Sequence, residues 1–458
     1  MIPLGHIKGA MTSMNSKVGI RREDMYAWER RTPLVPQDTH DLVKEHSLEI
    51  VAQSSDKRVF TASDYERAGI KVVDDLASCP VIFGIKEIPI PVLEPEKAYV
   101  FFSHTIKGQP YNMPLLQKML DLSCTLIDYE KITDEKGRRL IFFGNFAGLA
   151  GMIDTLWTLG RRLEAQGIDN PFTQVKRAFD YPNLETAKDE LKKIGERIAA
   201  DGLPEQIRPL VVGFAGYGNV SRGAQEILGL LPVEEISPRD LPTLQASHPR
   251  ANKVIFKVVF KEQDMAEPLD TTHSFDLQEY YAHPEIFRGV FDRHLPYLDV
   301  LMNCIYWEPR YPRLLSKEQT REMYKSGQPR LNRHCLNRHC LKVIGDITCD
   351  IEGAIECTVK ATEPDNPVFV YDPVTDRAID GVKGNGPVIM SVEILPTELP
   401  RESSTYFSGV LKKYVPAIAS ANYEDSFADL ELPTEIKRAV IAYHGELTPN
   451  YRYIKQYL

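Results

Sequence analysis

Ionisable side chains beside short apolar segments are the most informative feature of the first third of the chain. The set comprises Arg31, Lys86, Glu87, His104, Lys107, Glu130 and Arg139. A histidine, or a lysine beside other cations, exchanges protons near neutral pH, and an arginine binds a carboxylate through two parallel hydrogen bonds. These residue types therefore suit acid–base catalysis on an anionic substrate, although a lone lysine or arginine is more often a solvated surface residue.

The ends of strands are the elements that would bring these side chains together. Lys86 and Glu87 follow the apolar run VIFGI, and His104 follows the run VFFS. Ligand sites in open α/β sheets form beyond the carboxyl ends of the strands. Lys86 and His104 are therefore expected to point toward one crevice.

A second candidate site is the segment LVVGFAGYGNVSRGAQEIL at residues 210–228. An apolar strand, a glycine-rich turn and a helix, in that order, present backbone N–H groups to the pyrophosphate of a dinucleotide. The expected phosphate turn comprises Gly216, Gly218, Asn219 and Val220. Ser221 replaces the third glycine of the usual motif, so a glycine-rich turn without a ligand is the alternative.

The residues that end the next strand indicate which cofactor binds. If that strand is VEEI, the positions just past it are Ser237 and Arg239. A hydroxyl and a guanidinium suit the 2′-phosphate of NADPH, which a carboxylate would repel. NADPH is therefore favoured, while the nearby Glu235 leaves NAD open.

The length and the hydrophobic pattern predict an α/β protein. A chain of 458 residues is long enough for two domains. Strands are predicted at LEIVAQ, VIFGIKEI, AYVFFSH, TLIDYE and RLIFFG, and after the glycine turn at VIFKVVF, VLMNCIYW, LKVIGDITCD and PVFVYD. Helices are predicted over residues 146–165 and over ETAKDELKKIGERIAA, whose Glu and Lys residues are spaced as on a solvated helix. The alternation of strands and helices indicates parallel sheets.

Composition excludes several classes of protein. A net charge of −9 and a pI near 5.8 provide no positive field for nucleic acid. The most apolar long stretch is interrupted by Asn145 and Asp154, so no membrane span is expected. Seven cysteines without a CxxC pair are typical of reduced thiols. Residues 1–17 are interpreted as a leader without a signal peptide, and the predicted location is cytoplasmic.

The tandem repeat LNRHCLNRHC at residues 331–340 places His and Cys twice at the same spacing. Such residues are zinc ligands in many proteins. A short duplication in a surface loop is the preferred interpretation, and no metal is predicted.

Eight segments taken together resemble a known family. They are WERRTPLVP, GIKEIP, FFSHTIKGQ, DEKGRRLIFFGNFAGLAG, FAGYGNVSRGAQEI, NCIYWEPRYPRLL, GDITCDIEGAIE and LPTELPRESS. In this order they are similar to the lysine–ketoglutarate reductase half of alpha-aminoadipic semialdehyde synthase, from about residue 18 to the C-terminus. More distant likeness extends to saccharopine dehydrogenases and to alanine dehydrogenase and transhydrogenase.

The resemblance implies two Rossmann-like domains with a cleft between them. Residues 18–150 and 395–458 would form the substrate domain, and residues 151–394 the dinucleotide domain. Lys86 and His104 match an acid–base pair, with Glu87 and Glu130 as acidic neighbours that tune it. The substrate group further includes Arg31 and Arg139, which match arginines that hold carboxylates, and Lys107. The cofactor group comprises Gly216, Gly218, Asn219, Val220, Ser237, Arg239, Tyr306, Asp346 and, near the nicotinamide, Asp350.

The reaction implied by the resemblance is the condensation of L-lysine with 2-oxoglutarate and reduction of the imine by NADPH to give saccharopine. A separate saccharopine dehydrogenase would then act downstream. Three alternatives stay open: NAD-dependent oxidation of saccharopine to lysine, a related reductase with another amino acid, and a non-catalytic nucleotide-binding subunit. The oligomeric state is also left open.

Overall fold

A computed structural model describes residues 17–244, 248–324 and 341–458. The chain forms two compact units. The first runs to Phe142 and resumes over Pro400–Leu458, and the second is Phe143–Leu399. Of the predicted leader, only Lys17 is described, and it begins the first strand. The LNRHC repeat lies outside the described residues.

The first unit contains a described sheet of eight strands flanked by helices. The strands are β1 Lys17–Ile20, β2 Glu49–Gln53, β3 Lys71–Val73, β4 Val81–Phe83, β5 Ala98–Phe101, β6 Thr125–Asp128, β17 Val440–Tyr443 and β18 Glu446–Leu447. The helices are α1 Pro36–His46, α2 Ala62–Arg67, α3 Met113–Asp121, α10 Pro400–Leu411, α11 Val415–Ser420 and α12 Thr434–Lys437. The sheet order is β18-β17-β6-β5-β4-β1-β2-β3, and β1 to β6 are parallel.

The central strands of this sheet are buried along their whole length, which explains their continuous apolar sequences. Every residue of β4, β5 and β6 is buried, as is usual for parallel strands covered on both faces. The prediction of a strand at RLIFFG is wrong. Arg139 forms only an isolated antiparallel bridge to Thr133, because Asp134 closes a turn by accepting the backbone N–H of Arg138.

The second unit contains another described sheet of eight strands. The strands are β7 Leu210–Ala215, β8 Val233–Glu235, β9 Ile255–Phe260, β12 Val300–Asn303, β13 Val343–Asp346, β14 Val368–Asp372, β15 Arg377–Asp380 and β16 Val388–Met390, with β10 Ala266–Pro268 and β11 Phe287–Gly289 as a separate pair. The helices are α4 Gly144–Ala165, α5 Leu184–Asp201, α6 Asn219–Leu228, α7 Glu262–Met265, α8 Leu277–Ala282 and α9 Lys317–Tyr324. Two mostly parallel sheets confirm the predicted α/β class.

The strand order of this sheet is β15-β14-β16-β13-β12-β7-β9-β8. The VEEI segment forms β8, which lies at the edge of the sheet, whereas β9 pairs with the glycine strand β7 along six residues. The sequences explain this order. Strand β9 is IFKVVF and mostly buried, whereas β8 is short and half-exposed, as edge strands commonly are.

Glycines allow α4 and α6 to pack at backbone contact. A β-carbon on Gly148 would lie 1.9 Å from the carbonyl oxygen of Val220, and one on Gly223 would lie 2.2 Å from that of Asn145. Gly223 thus permits close helix packing although Ser221 stands at the third motif position. Because α4 begins at Gly144, the division after Phe142 precedes the predicted boundary at residue 150, which falls inside the helix.

Candidate active site and nucleotide site

The strand order of the first sheet reverses at β1. Strand β1 lies between β2 and β4 and is parallel to both. The chain leaves β1 toward β2 on one side and later builds β4, β5 and β6 on the other. Such a switch point opens a crevice outside the carboxyl ends of the strands. Lys86 follows β4, His104 follows β5 and Glu130 follows β6, so all three lie at the same edge.

His104 and Glu87 form a close polar contact at this edge. The imidazole Nδ1 lies 2.5 Å from the Glu87 Oε1 atom. Burial raises the pKa of the Glu87 carboxyl, whereas the hydrogen bond from His104 and the charge of His104 lower it. The lowering is the larger effect, so the pKa of Glu87 lies below its usual value. Because the carboxylate accepts, Nδ1 carries the hydrogen and Nε2 is the atom that can exchange a proton with a substrate.

Two further side chains hold the Glu87 carboxylate. The Asn112 amide donates to Oε1 at 3.3 Å, and the Tyr26 hydroxyl donates to Oε2 at 3.4 Å. Glu87 is only 3% exposed, so these donors replace water around its charge. Sequence reasoning missed both residues, since neither stands beside a predicted strand end.

The backbone of His104 is held in an uncommon conformation. Its φ is +48°, in the left-handed region, which costs a residue with a β-carbon roughly 1–2 kcal/mol. The ring of Phe102 stacks near the imidazole, with the ring centroids 6.3 Å apart. The surrounding contacts therefore fix the direction of the imidazole.

Lys86 is half-buried and anchored through its backbone. Its N–H donates to Glu23 at 3.0 Å, and the N–H of Ile85 donates to the other oxygen at 2.7 Å. Burial, together with nearby Glu29, raises the pKa of the Glu23 carboxyl to about 7. The Lys86 ammonium lies 5.6 Å from the centre of the Tyr26 ring. Tyr26 thus contacts both Lys86 and the Glu87–His104 pair.

The predicted carboxylate-binding arginines differ in their surroundings. Arg31 is 4% exposed, and its guanidinium donates to both oxygens of Glu29, at 2.8 and 2.6 Å. Arg139 has a half-exposed side chain that pairs with Glu130. The exposed Lys107 donates its backbone N–H to Gln109. An anionic substrate therefore has readier access to Arg139 than to Arg31.

The glycine turn of the second unit fits a phosphate group. Gly216 has a φ of +93°, and a β-carbon there would lie 3.0 Å from the Cγ2 atom of Ile305. Gly218 is the N-cap of α6, without a side-chain cap, and a β-carbon there would meet no atom within 4 Å. The first turn of α6, with Asn219 and Val220, therefore presents backbone N–H groups toward open space.

A cavity of about 390 Å³ adjoins the glycine turn. Its lining is rich in aromatic side chains and includes Gly216, Tyr217, Gly218, Glu262, Tyr280, Tyr281, Tyr306 and Trp307. Tyr306, one of the predicted cofactor residues, is 70% exposed and donates to Glu308. A largely apolar lining beside a phosphate site is suited to the ring systems of a nucleotide.

The remaining predicted cofactor residues lie in or after other strands of the second unit. Asp346 is 1% exposed and accepts from Asn303 and Thr358, and burial raises the pKa of its carboxyl to about 6. Asp346 therefore links its own strand, β13, to Asn303 at the end of β12. Asp350 is exposed after β13. Ser237 and Arg239 follow the edge strand β8, where the Ser237 hydroxyl accepts the backbone N–H of Arg239.

Between residues 17 and 458, leaving aside 245–247 and 325–340, no group of three or more His, Cys, Asp and Glu side chains could hold a metal ion. Among the helices that the structure describes, none has both the length and the apolar composition needed to cross a lipid bilayer.

The chain is similar to several known proteins. The domain family described as alanine dehydrogenase/PNT, N-terminal domain, matches residues 19–150. A solved L-alanine dehydrogenase superposes with a TM-score of 0.59 at 15% identity, covering 96% of this chain and 98% of that one, which is a likeness of fold. The likeness to the solved structure shows the fold of the chain, an α/β protein of two Rossmann-like units.

Over nearly its whole length, the chain is similar to part of alpha-aminoadipic semialdehyde synthase. The Arabidopsis thaliana protein of that name is 42% identical over 455 residues, which are 96% of this chain and 41% of the synthase. A Neurospora crassa saccharopine dehydrogenase, named as NAD(+)-dependent and L-lysine-forming, is 26% identical over 410 residues, covering 86% of this chain and 88% of that protein. The chain thus spans less than half of the plant synthase.

Proposed function

We propose that this protein is an oxidoreductase that condenses L-lysine with 2-oxoglutarate and reduces the resulting imine with NADPH to form saccharopine. The observation that carries the proposal is the His104–Glu87 contact beside Lys86 at the switch point of the first sheet. The similarity of nearly the whole chain to alpha-aminoadipic semialdehyde synthase supports the substrate assignment.

The proposed reaction needs two proton transfers before reduction. The ε-amine of lysine must be neutral to attack the oxo carbon, and the carbinolamine must gain a proton on its hydroxyl to leave as water. His104 Nε2 and the Lys86 amine share this work in the proposal. Glu87 holds the imidazole through Nδ1.

Carboxylates of the substrates require cationic partners. Arg139 is the better placed of the two predicted arginines, because its side chain is half-exposed and its partner Glu130 lies at the same strand edge. Arg31 is proposed to act through its pair with Glu29, which fixes the loop after β1 that also carries Tyr26.

The second unit is proposed to hold the cofactor. The pyrophosphate would contact the N–H groups at Gly218, Asn219 and Val220, and the aromatic cavity would receive a ring system. When bound, NADPH supplies the hydride that reduces the imine carbon. Water, NADP⁺ and saccharopine are then the products of lysine, 2-oxoglutarate, NADPH and a proton.

The test is NADPH oxidation by the purified protein in the presence of 2-oxoglutarate and L-lysine, with mass detection of the product. Ornithine in place of lysine and NADH in place of NADPH are parallel controls. Lysine-dependent oxidation that yields saccharopine supports the proposal. Absence of lysine-dependent turnover in either direction would contradict it and leave a different amine or a binding role.

A second candidate is the reverse reaction, in which NAD⁺ oxidises saccharopine to lysine. It is favoured by the similarity to the Neurospora crassa saccharopine dehydrogenase, of which this chain covers 88%. Initial rates measured with saccharopine and NAD⁺, beside those with lysine, 2-oxoglutarate and NADPH, separate the two candidates.

A further inference from the structure

The end of β9 is the place in the second unit where cofactor selection can be decided. In a dinucleotide-binding sheet, the residues after the strand next to the glycine strand lie near the ribose 2′ position. That strand is β9, and the N–H of Gly216 donates to the carbonyl of its last residue, Phe260, at 3.1 Å. Lys261 and Glu262 follow, so these two residues stand beside the phosphate turn.

The Glu262 carboxylate is already engaged by two phenols. Tyr281 donates to one oxygen at 2.7 Å and Tyr217 donates to the other at 3.1 Å. Tyr217 lies between the two glycines of the phosphate turn, and all three side chains line the aromatic cavity. The hydrogen bonds occupy acceptor positions that a ribose diol would otherwise use, and they disperse the carboxylate charge.

The Lys261 side chain, unlike the Glu262 carboxylate, is not held by a neighbouring side chain among the residues that the structure describes. Its backbone N–H donates to Asp264 at 2.9 Å, and its side chain is exposed. Across the described parts of the chain, no ion pair joins its ammonium to a carboxylate. An exposed ammonium that has no carboxylate partner and that directly follows β9 is suited to binding a phosphate dianion.

We infer that Lys261 is the specificity-determining residue that pairs with the 2′-phosphate of NADP(H), while Tyr217 and Tyr281 keep Glu262 from serving as the anchor of an unphosphorylated ribose. The inference rests on the proposed function in requiring a nicotinamide nucleotide in the second unit. It replaces Ser237 and Arg239, which follow the edge strand β8.

The role of Lys261 is tested by measuring nucleotide binding directly, which does not require catalysis. Dissociation constants of NADPH and NADH are determined by isothermal titration calorimetry for the full chain, without amino-acid substrates. The variants are Lys261→Ala, Lys261→Arg and Glu262→Gln. Arg239→Ala is the matched control, because it also removes an exposed cation. Lys261→Ala is expected to weaken NADPH binding about tenfold or more, the scale of a charged hydrogen bond, while NADH changes by less than about twofold.

The other variants distinguish a role of the charge at Lys261 from a general loss of positive charge. Lys261→Arg is expected to retain NADPH affinity, Arg239→Ala to leave both nucleotides unchanged, and Glu262→Gln to strengthen NADPH by removing a negative charge near the phosphate. The inference is overturned if Arg239→Ala weakens NADPH and Lys261→Ala does not, if Lys261→Ala weakens both nucleotides equally, or if Glu262→Gln selectively weakens NADH.

Failure of the proposed function looks different in the same experiment. If the unmodified protein binds neither nucleotide, the assignment of a cofactor to the second unit is contradicted together with the role of Lys261. If it binds NADPH and Lys261→Ala leaves that affinity unchanged, only the role of Lys261 is lost.

Discussion

Alanine in place of Gly148 tests whether the contact between α4 and α6 sets the geometry of the phosphate turn. A β-carbon at this position would lie 1.9 Å from the Val220 carbonyl oxygen and 2.9 Å from the backbone nitrogen of Ala224. Both atoms belong to the backbone of α6, so no flexible side chain can move aside. The helices would have to separate by on the order of 1 Å to restore ordinary contact distances.

The expected loss of stability follows from two opposing effects. Overpacking a well-packed site costs roughly 1–3 kcal/mol, and a backbone contact this short belongs at the upper end. Alanine gains about 0.8–1 kcal/mol over glycine inside a helix. Gly148→Ala should therefore lower the free energy of unfolding by about 2 kcal/mol.

The same displacement should reach the nucleotide site, because Val220 lies in the first turn of α6, which Gly218 caps. A shift of about 1 Å in groups that must meet a ligand costs an order of magnitude or more. We expect the dissociation constant of NADPH to rise about tenfold in Gly148→Ala.

Gly409→Ala is the matched control, since Gly409 lies in α10 and a β-carbon there would meet no atom within 4 Å. It should stabilise the protein by up to about 1 kcal/mol through helix propensity alone. Urea unfolding followed by circular dichroism measures both variants. If Gly148→Ala were as stable as Gly409→Ala and bound NADPH normally, the proposed coupling between helix packing and the phosphate turn would be refuted.

Three further predictions concern the first unit. Lys86→Met and His104→Gln should each lower turnover by about 10²–10⁴, the range of an acid–base group, and unchanged turnover in both would remove the assignment. The lowered pKa of Glu87 contributes stability that is present above its usual value of about 4.3 and is lost as the pH falls. Glu87→Gln should therefore lose less stability than the unmodified protein as the pH falls from about 5 to about 3 in thermal unfolding, and an equal loss would contradict this. Arg139→Lys should raise the apparent KM for 2-oxoglutarate without changing Tm, whereas Arg31→Lys should raise that KM and also lower Tm, because Arg31 is buried in a bidentate pair. Equal Tm values for the two variants would show that the Arg31 pair does not support the fold.

The sequence alone predicted strands β2, β4, β5 and β6 of the first unit and the polar residues that follow the last three of them. Strands β4 and β5 are continuous apolar runs, and such runs are buried parallel strands whose carboxyl ends meet at one edge. Lys86 and His104 follow those ends directly, so their shared location needed only the local pattern. The glycine turn before α6 was predictable for the same reason, since strand, turn and helix are contiguous.

Tertiary structure decided the partners of these groups. Glu87 is held by Tyr26 and Asn112, which are distant from it in sequence and from each other. Arg31 looked like an open anion site, and only the fold shows that it is buried against Glu29. Hydrogen-bond partners depend on which loops converge, and a single sequence carries no local signal for that.

Strand order was likewise decided by the folded sheet. The sequence places VEEI first after the glycine turn, yet β9 takes the position beside β7, because the six-residue, mostly buried strand IFKVVF buries more surface than the short, half-exposed β8. Competition between strands for the sheet centre depends on burial across the whole unit. For that reason the residues beside the phosphate turn, Lys261 and Glu262, emerged only from the three-dimensional structure.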